Sequence, residues 1–281
     1  MLLDIFTYSF MQRAFIVGNV IAVICPLIGV FLVLKRLSLI GNTLSHVALT
    51  GVAIGMIFGI YPIYTALAVS VLAAVGIEKL RKNYKDYAEL SLSIILATGL
   101  GLATILISLS NNNSGIFSYL FGSISMVTRQ DVLTVIPLAV VIIGVILYFY
   151  YGFFFLAFNE SDAKLAGIPV KILNLLFMIL VSITVSLSMR IIGGLLVSSL
   201  ITLPVAGSLQ MAKSFKQTII YSIIFSVLAV NTGLFISFYY DLASGGTIIV
   251  ASVIYLIAAI IYKKINSFLY KRSELKVAVK D

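Results

Sequence analysis

The chain has 281 residues, of which 61% are hydrophobic and only 10% charged, with a formal net charge of +9. A soluble domain carries about a quarter charged residues, so this composition, with a mean hydropathy of +1.16, excludes an ordinary soluble protein and specifies an all-α polytopic membrane protein. The cations lie between apolar runs, where they set topology rather than bind nucleic acid. The single cysteine, Cys25, lies inside an apolar run and leaves no disulfide framework within the chain.

Residues 1–13, MLLDIFTYSFMQR, carry an acid instead of a basic leader and no small-residue cleavage site, so they do not read as a signal peptide. Leu2, Ile5, Phe6, Phe10 and Met11 fit one face of an interfacial helix lying on membrane lipid. Apolar segments long enough to cross a bilayer follow at roughly 14–34, 38–60, 63–78, 90–110, 132–151, 172–189, 193–212, 218–238 and 247–262. Residues 115–131 are too broken by Gly and Ser for a span and read as a short external or re-entrant helix. With this exclusion, 1–281 is one integral-membrane domain with about eight to nine transmembrane helices, ending in a basic tail at 263–281.

Nine crossings put the termini on opposite sides, and the cations decide which. Placing Lys35 and Arg36 in the cytoplasm puts Lys79, Arg81, Lys82 and Lys85 there as well. Lys164, Lys171, Lys213, Lys216 and the tail lysines follow, and only Arg13, Arg129 and Arg190 stay outside. The N-terminus is then outside and the C-terminus cytoplasmic, in a cell membrane. The Tyr61–Pro62 turn, the Asn111–Ser114 link and the Tyr239–Gly246 loop fall outside.

The stretch Lys35–Gly59 contains His46, the only histidine. Ten residues beyond Arg36, at about 1.5 Å per residue, put it roughly 15 Å deep, the middle of a hydrocarbon core about 30 Å thick. An ionisable group at that depth is a functional-site hypothesis by default. Asn42, four residues earlier, shares its helix face. An imidazole suits zinc, manganese or iron, with Asn42 as an oxygen ligand or a support for the ring. The bland alternative is a histidine bonded to a hydroxyl such as Ser45. One histidine cannot complete a metal site, and every Asp and Glu falls in a predicted loop or terminus. The site must therefore borrow groups from a second copy of the chain or from oxygens of the 193–212 segment. That segment is interrupted by Gly193, Gly194, Pro204 and Gly207, and its Ser198, Ser199 and Thr202 join Ser45 as pathway candidates; a harmless kink is the alternative.

Gly51, Gly55 and Gly59 form a small-residue ladder for close helix packing. The loop Asn159–Ile172 reads as a short amphipathic helix ending at Gly167 and stopped by Pro169. It is either a solvated face or a plug for a partner's groove. There is no G-x-x-x-x-G-K-[ST] loop for ATP, no H-E-x-x-H and no G-x-S-x-G elbow, so enzyme readings lack residues. A proton-driven carrier would need a buried acid that the pattern does not supply.

Several stretches together resemble a known family, the permease subunit of ABC importers for zinc, manganese and ferrous iron. They are Phe10–Ala14 (FMQRA), Leu37–Gly51 (LSLIGNTLSHVALTG), Tyr119–Ser123 (YLFGS), Asp162–Pro169, Ser198–Pro204 (SSLITLP) and Ser244–Gly246. The resemblance implies a type II-like importer permease fold and a homodimer. It also implies two cytoplasmic ATP-binding cassette ATPase subunits and an extracellular metal-binding solute-binding protein. ATP would be hydrolysed on the partner chain and no cofactor held permanently; the metal is cargo. The resemblance implies that the loop with Glu160, Asp162, Ala163, Gly167 and Pro169 couples to the ATPase, and His46 matches the family's intramembrane histidine. Family members usually carry Asp where this chain has Asn42. Losing a carboxylate weakens a manganese site more than a zinc site, so zinc is favoured and manganese comes next. The rival readings are a permease for a siderophore or cobalamin chelate and a stand-alone secondary metal carrier.

Overall fold

The computed structural model describes residues 4–84, 88–109 and 113–278. Leu2, Lys85, Asn111 and Lys280 therefore lie outside the described residues. A 3-10 turn at Asp4–Thr7 leads into α1 (Ser9–Leu34), α2 (Leu39–Phe58), α3 (Pro62–Asn83), α4 (Ala88–Leu109), α5 (Asn113–Phe121) and α6 (Arg129–Tyr148). Then come α7 (Tyr150–Phe158), α8 (Glu160–Leu165), α9 (Val170–Ile192), α10 (Val197–Met211), α11 (Phe215–Tyr240) and α12 (Ser244–Ala278). Eight of these, α1 to α4, α6, α9, α11 and α12, are long and apolar enough to cross a membrane; α10 is apolar but only 15 residues long. All nine expected segments are thus helical, and α1, α2 and α9 form the most buried part of the bundle.

Two ends of the bundle can be told apart. At one, Lys35 at the end of α1 meets Glu160 of α8 and Asn174 of α9, and Lys263 of α12 donates to Gln210 near the end of α10. At the other, Arg190 closes α9 against Asp131 at the start of α6. The helix α5 stays at this Arg190 end, as expected of a short external or re-entrant helix. Its Tyr119 and Leu120 carbonyls accept from the Gly194 and Leu195 amides at 2.7 and 3.3 Å, and Ser123 N–H donates to the Arg190 carbonyl at 3.3 Å. The two loops approach so closely that Gly122 (φ 79°) and Gly193 (φ 88°) have no room for a Cβ, which would meet the other loop's carbonyls.

Four sequence expectations change. In the described part of 1–13 there is no separate helix: Asp4–Thr7 is a 3-10 turn and Phe10 to Arg13 lie in the first turns of α1, with Ile5 and Met11 buried and Phe6 and Tyr8 exposed. The tail continues α12 as helix to Ala278, 35 residues or about 52 Å of helix. Gly59 is not part of the ladder but the left-handed cap of α2 (φ 67°), whereas Gly51 and Gly55 bring α3 close: a Cβ on Gly51 would sit 2.6 Å from the Ala66 Cα. Asp131 is not a loop acid. It is fully buried in the first turn of α6, where Thr128 and Asp131 form a reciprocal capping box.

Several polar contacts join the spans. Asn19 of α1 and Asn231 of α11 exchange side-chain hydrogen bonds at 3.2 and 2.8 Å. Cys25 lies 3.1 Å from the Ser188 hydroxyl of α9, buried as a packing residue. Ser186 of α9 and Ser70 of α3 are 3.0 Å apart. An aromatic cluster of Phe31, Phe153, Phe177 and Phe215 joins α1, α7, α9 and α11 near the Lys35 end.

Candidate functional site

Three neighbours fix the rotation of α2. Gly41 faces α10, where the Ser198 Cα would lie 3.6 Å from an added Cβ. Gly51 and Gly55 face α3. Val47 and Thr50 face α4, with the Thr50 hydroxyl donating to the Gly99 carbonyl at 2.8 Å. At 100° per residue, Leu39, Asn42 and His46 then share a stripe between the α10 and α4 contacts. Leu39 is 57% exposed, and Asn42 and His46 are partly buried. Further along the same sector Leu49 and Ala53 are buried, so the stripe closes towards the Arg190 end.

His46 lies seven residues inside α2, about 10 Å from its start, and not the 15 Å expected from Arg36. Residues 35 to 38 form a turn, with Arg36 in the left-handed region (φ 57°), and add no helical rise. Neither Asn42 nor His46 has a side-chain hydrogen bond to any described residue. Ser45 does not bond the imidazole. It is buried towards α10 and donates to the Gly41 carbonyl at 2.8 Å. Thr202 likewise turns to its own helix, donating to the Ser198 carbonyl at 2.9 Å. Ser198 sits beside Gly41, and both Ser198 and Ser199 keep partial exposure. Among the described residues no three His, Cys, Asp or Glu side chains come close enough to hold a metal ion, so a metal at His46 would need amide, hydroxyl, carbonyl or another molecule's groups as well.

The loop singled out around Glu160 is α8 with its flanks. Asn159 caps it, accepting from the Ser161 amide and donating to the Asp162 carboxylate, both at 2.9 Å. Ala163 is buried against the bundle, and Gly167 (φ 75°) and Pro169 turn the chain into α9. Leu165, on the same short helix, is 87% exposed at the end of the bundle.

Sequence reasoning missed two charged clusters because each is assembled from distant segments. At the Arg190 end the Asp131 carboxylate accepts from the Thr128 amide and hydroxyl at 2.6 and 2.8 Å and from the Tyr61 hydroxyl, and it pairs with Arg190 at 3.4 Å. Arg190 also donates twice to the Met126 carbonyl and lies over the Tyr119 ring at 4.8 Å. Burial pushes the Tyr119 hydroxyl up to about 12, and burial with the Asp131 hydrogen bond raises the Tyr61 pKa as well. At the other end Lys35 Nζ lies 2.5 Å from Asn174 Oδ1 and 3.3 Å from Glu160 Oε1. Burial lowers the Lys35 pKa against the opposing pull of Glu160. Burial alone would raise Glu160, but Lys35 and the Asn174 hydrogen bond outweigh it and hold the carboxyl below its usual range.

Comparison with known proteins bears out the family resemblance across nearly the whole chain. A probable metal transport system membrane protein of Treponema pallidum (strain Nichols) is 37% identical over 253 residues, covering 90% of this chain and 95% of its own length. The manganese transport system membrane protein MntC of Listeria monocytogenes is 27% identical, covering 95% of this chain and 96% of its own. The high-affinity zinc uptake system membrane protein ZnuB of Haemophilus influenzae is 27% identical, covering 87% and 94%. Among solved structures, PsaBC from Streptococcus pneumoniae in complex with Fab matches with a TM-score of 0.83 at 27% identity, covering 92% of this chain and 95% of that one. The model of the ABC 3 transport family matches residues 7–263, and the chain belongs to that family.

Proposed function

We infer that the chain is the membrane-spanning permease of an ABC importer that moves a divalent transition metal inward by alternating access, driven by ATP hydrolysed on a partner subunit. The observation that carries this is the Asn42–His46 stripe: two unpartnered polar side chains, open at the side of the bundle and inside a span. Facing lipid they would be expensive. A second copy related by a twofold axis would cover the stripe and bring two imidazoles and two amides together, the four ligands a tetrahedral metal needs. Such a site is weak, which suits release of a cargo.

Imidazole with neutral amide oxygen suits zinc better than manganese, so zinc is the favoured cargo, and both metals occur in the names of relatives. The basic Lys35 end faces the cytoplasm by the distribution of cations, leaving the N-terminus outside and the C-terminus inside a cell membrane. There α8 offers exposed Leu165 to a groove of the ATPase, which favours this reading over a stand-alone carrier. The Arg190 end would receive the solute-binding protein. In proteoliposomes holding permease and ATPase, His46→Ala should abolish zinc uptake while the complex still assembles. Unchanged zinc flux would overturn the assignment.

A further inference from the structure

We propose that Lys35 is a positioning residue that carries movement of α8 into the helix bearing Asn42 and His46. The inference rests on the reading of α8 as the ATPase contact and of α2 as the site helix. Lys35, Glu160 and Asn174 close a triangle: Lys35 to Asn174 at 2.5 Å, Lys35 to Glu160 at 3.3 Å, and Asn174 Nδ2 donating to Glu160 Oε1 at 3.0 Å. Three elements, α1, α8 and α9, thereby meet at one ammonium. The Lys35 side chain is only 7% exposed, and it lies 5.9 Å from the Phe177 ring centre. An ammonium so little exposed would be poorly solvated without the carboxylate, which favours keeping the contact if α8 moves.

Beyond Lys35 the chain has little slack. Its own N–H bonds the Phe31 carbonyl at 3.0 Å, Arg36 N–H bonds Val33 at 3.0 Å, and Leu37 N–H bonds Leu32 at 2.9 Å. Ile40 N–H then bonds Leu37 at 3.0 Å, so the turn is tied to both helices it joins. Arg36 holds a left-handed conformation that restricts the turn further. Asn42 follows seven residues after Lys35, and at the same level Gly41 packs against Ser198 and Ile201 of α10, with no interhelical hydrogen bond from Gly41 or Ser198 among the described residues. A pull on Glu160 therefore reaches the first turn of α2, at the contact best able to yield.

The test uses the whole complex of permease and ATPase in proteoliposomes and reads ATP hydrolysed per zinc ion taken up. Lys35→Met keeps the side chain's length and apolar packing but removes the charge, and should raise the ratio at least tenfold. Lys35→Arg should stay within twofold of the native ratio. Glu160→Gln, changed on the half-exposed partner, should raise it at least threefold and serves if Lys35→Met does not assemble. A purely architectural role would lower hydrolysis and uptake together, leaving the ratio unchanged, and that result in either neutral variant overturns the proposal. His46→Ala in the same vesicles checks the underlying reading separately: its unchanged zinc uptake refutes the site, whereas an unchanged Lys35→Met or Glu160→Gln ratio beside an inactive His46→Ala refutes the linkage alone.

Discussion

Removing both partners of the Asp131–Arg190 pair should cost little more than removing either one alone. The Asp131 side chain is fully buried and that of Arg190 is 10% exposed, so neither charge has water to fall back on. Breaking a buried pair from one side costs about 3–5 kcal/mol. The lower end applies to Asp131→Asn, because Arg190 keeps two donations to the Met126 carbonyl and the Tyr119 ring. It also applies to Arg190→Met, because the carboxylate keeps the Thr128 amide and the Thr128 and Tyr61 hydroxyls. Each single change should thus cost about 3 kcal/mol, roughly a hundredfold in the unfolding equilibrium. The double variant buries no unpaired charge and should cost about 3 kcal/mol again, not the sum, a coupling of about 3 kcal/mol. Reversible unfolding of the detergent-solubilised protein, followed by circular dichroism for all four corners of the cycle, measures this. Simple additivity would refute the view that these residues act as a pair.

Asn42→Asp places a carboxylate beside His46, and if residue 42 meets the cargo, manganese uptake should rise relative to zinc by about tenfold; an unchanged ratio in competition uptake argues that residue 42 does not touch the cargo. Leu165→Asp on exposed α8 should leave permease stability unchanged yet reduce ATPase co-purification at least fivefold, read by stoichiometry of the isolated complex. Glu160 titrates below its usual range in the fold, so its contribution is complete above the unfolded-state value and is lost as pH falls through the lower folded value. Hydrogen exchange at the Ala163, Ala166 and Ile168 amides of the α8 region, corrected for intrinsic rate, should be flat at neutral pH and accelerate on acidification; the same acid step in Glu160→Gln would exclude Glu160 as its source.

The spans were legible because a bilayer demands about twenty apolar residues in a row, and Tyr61–Pro62 or Lys213–Ser214 punctuate such runs clearly. The short α5, too brief to be a span, was legible for the opposite reason, its Gly and Ser content. What single-sequence reading could not supply is rotation about each helix axis. His46 and Asn42 were visible as a pair four residues apart, but their opening between α4 and α10 depends on Gly41, Val47 and Thr50 meeting partners far along the chain. Ser45, three residues from Asn42, turns out to face α10 for that reason. The charged clusters escaped for a related cause: Asp131 and Arg190 are 59 positions apart and each reads alone as a loop charge, so only tertiary pairing turns them into a buried network.

The exchanged amides of Asn19 and Asn231 set a limit on how the molecule can work. Both residues sit well inside their helices, and each side chain also bonds its own backbone, Asn19 to Phe15 and Asn231 to Val227. Sliding α1 along α11 would break two hydrogen bonds at once where no water stands ready to replace them. These two helices thus behave as a stator, one rigid wall against which a transport cycle must turn. The rotor has to be sought among contacts without such hydrogen bonds, and the seam beside the histidine where Gly41 packs on Ser198 and Ile201 of α10 is one of them.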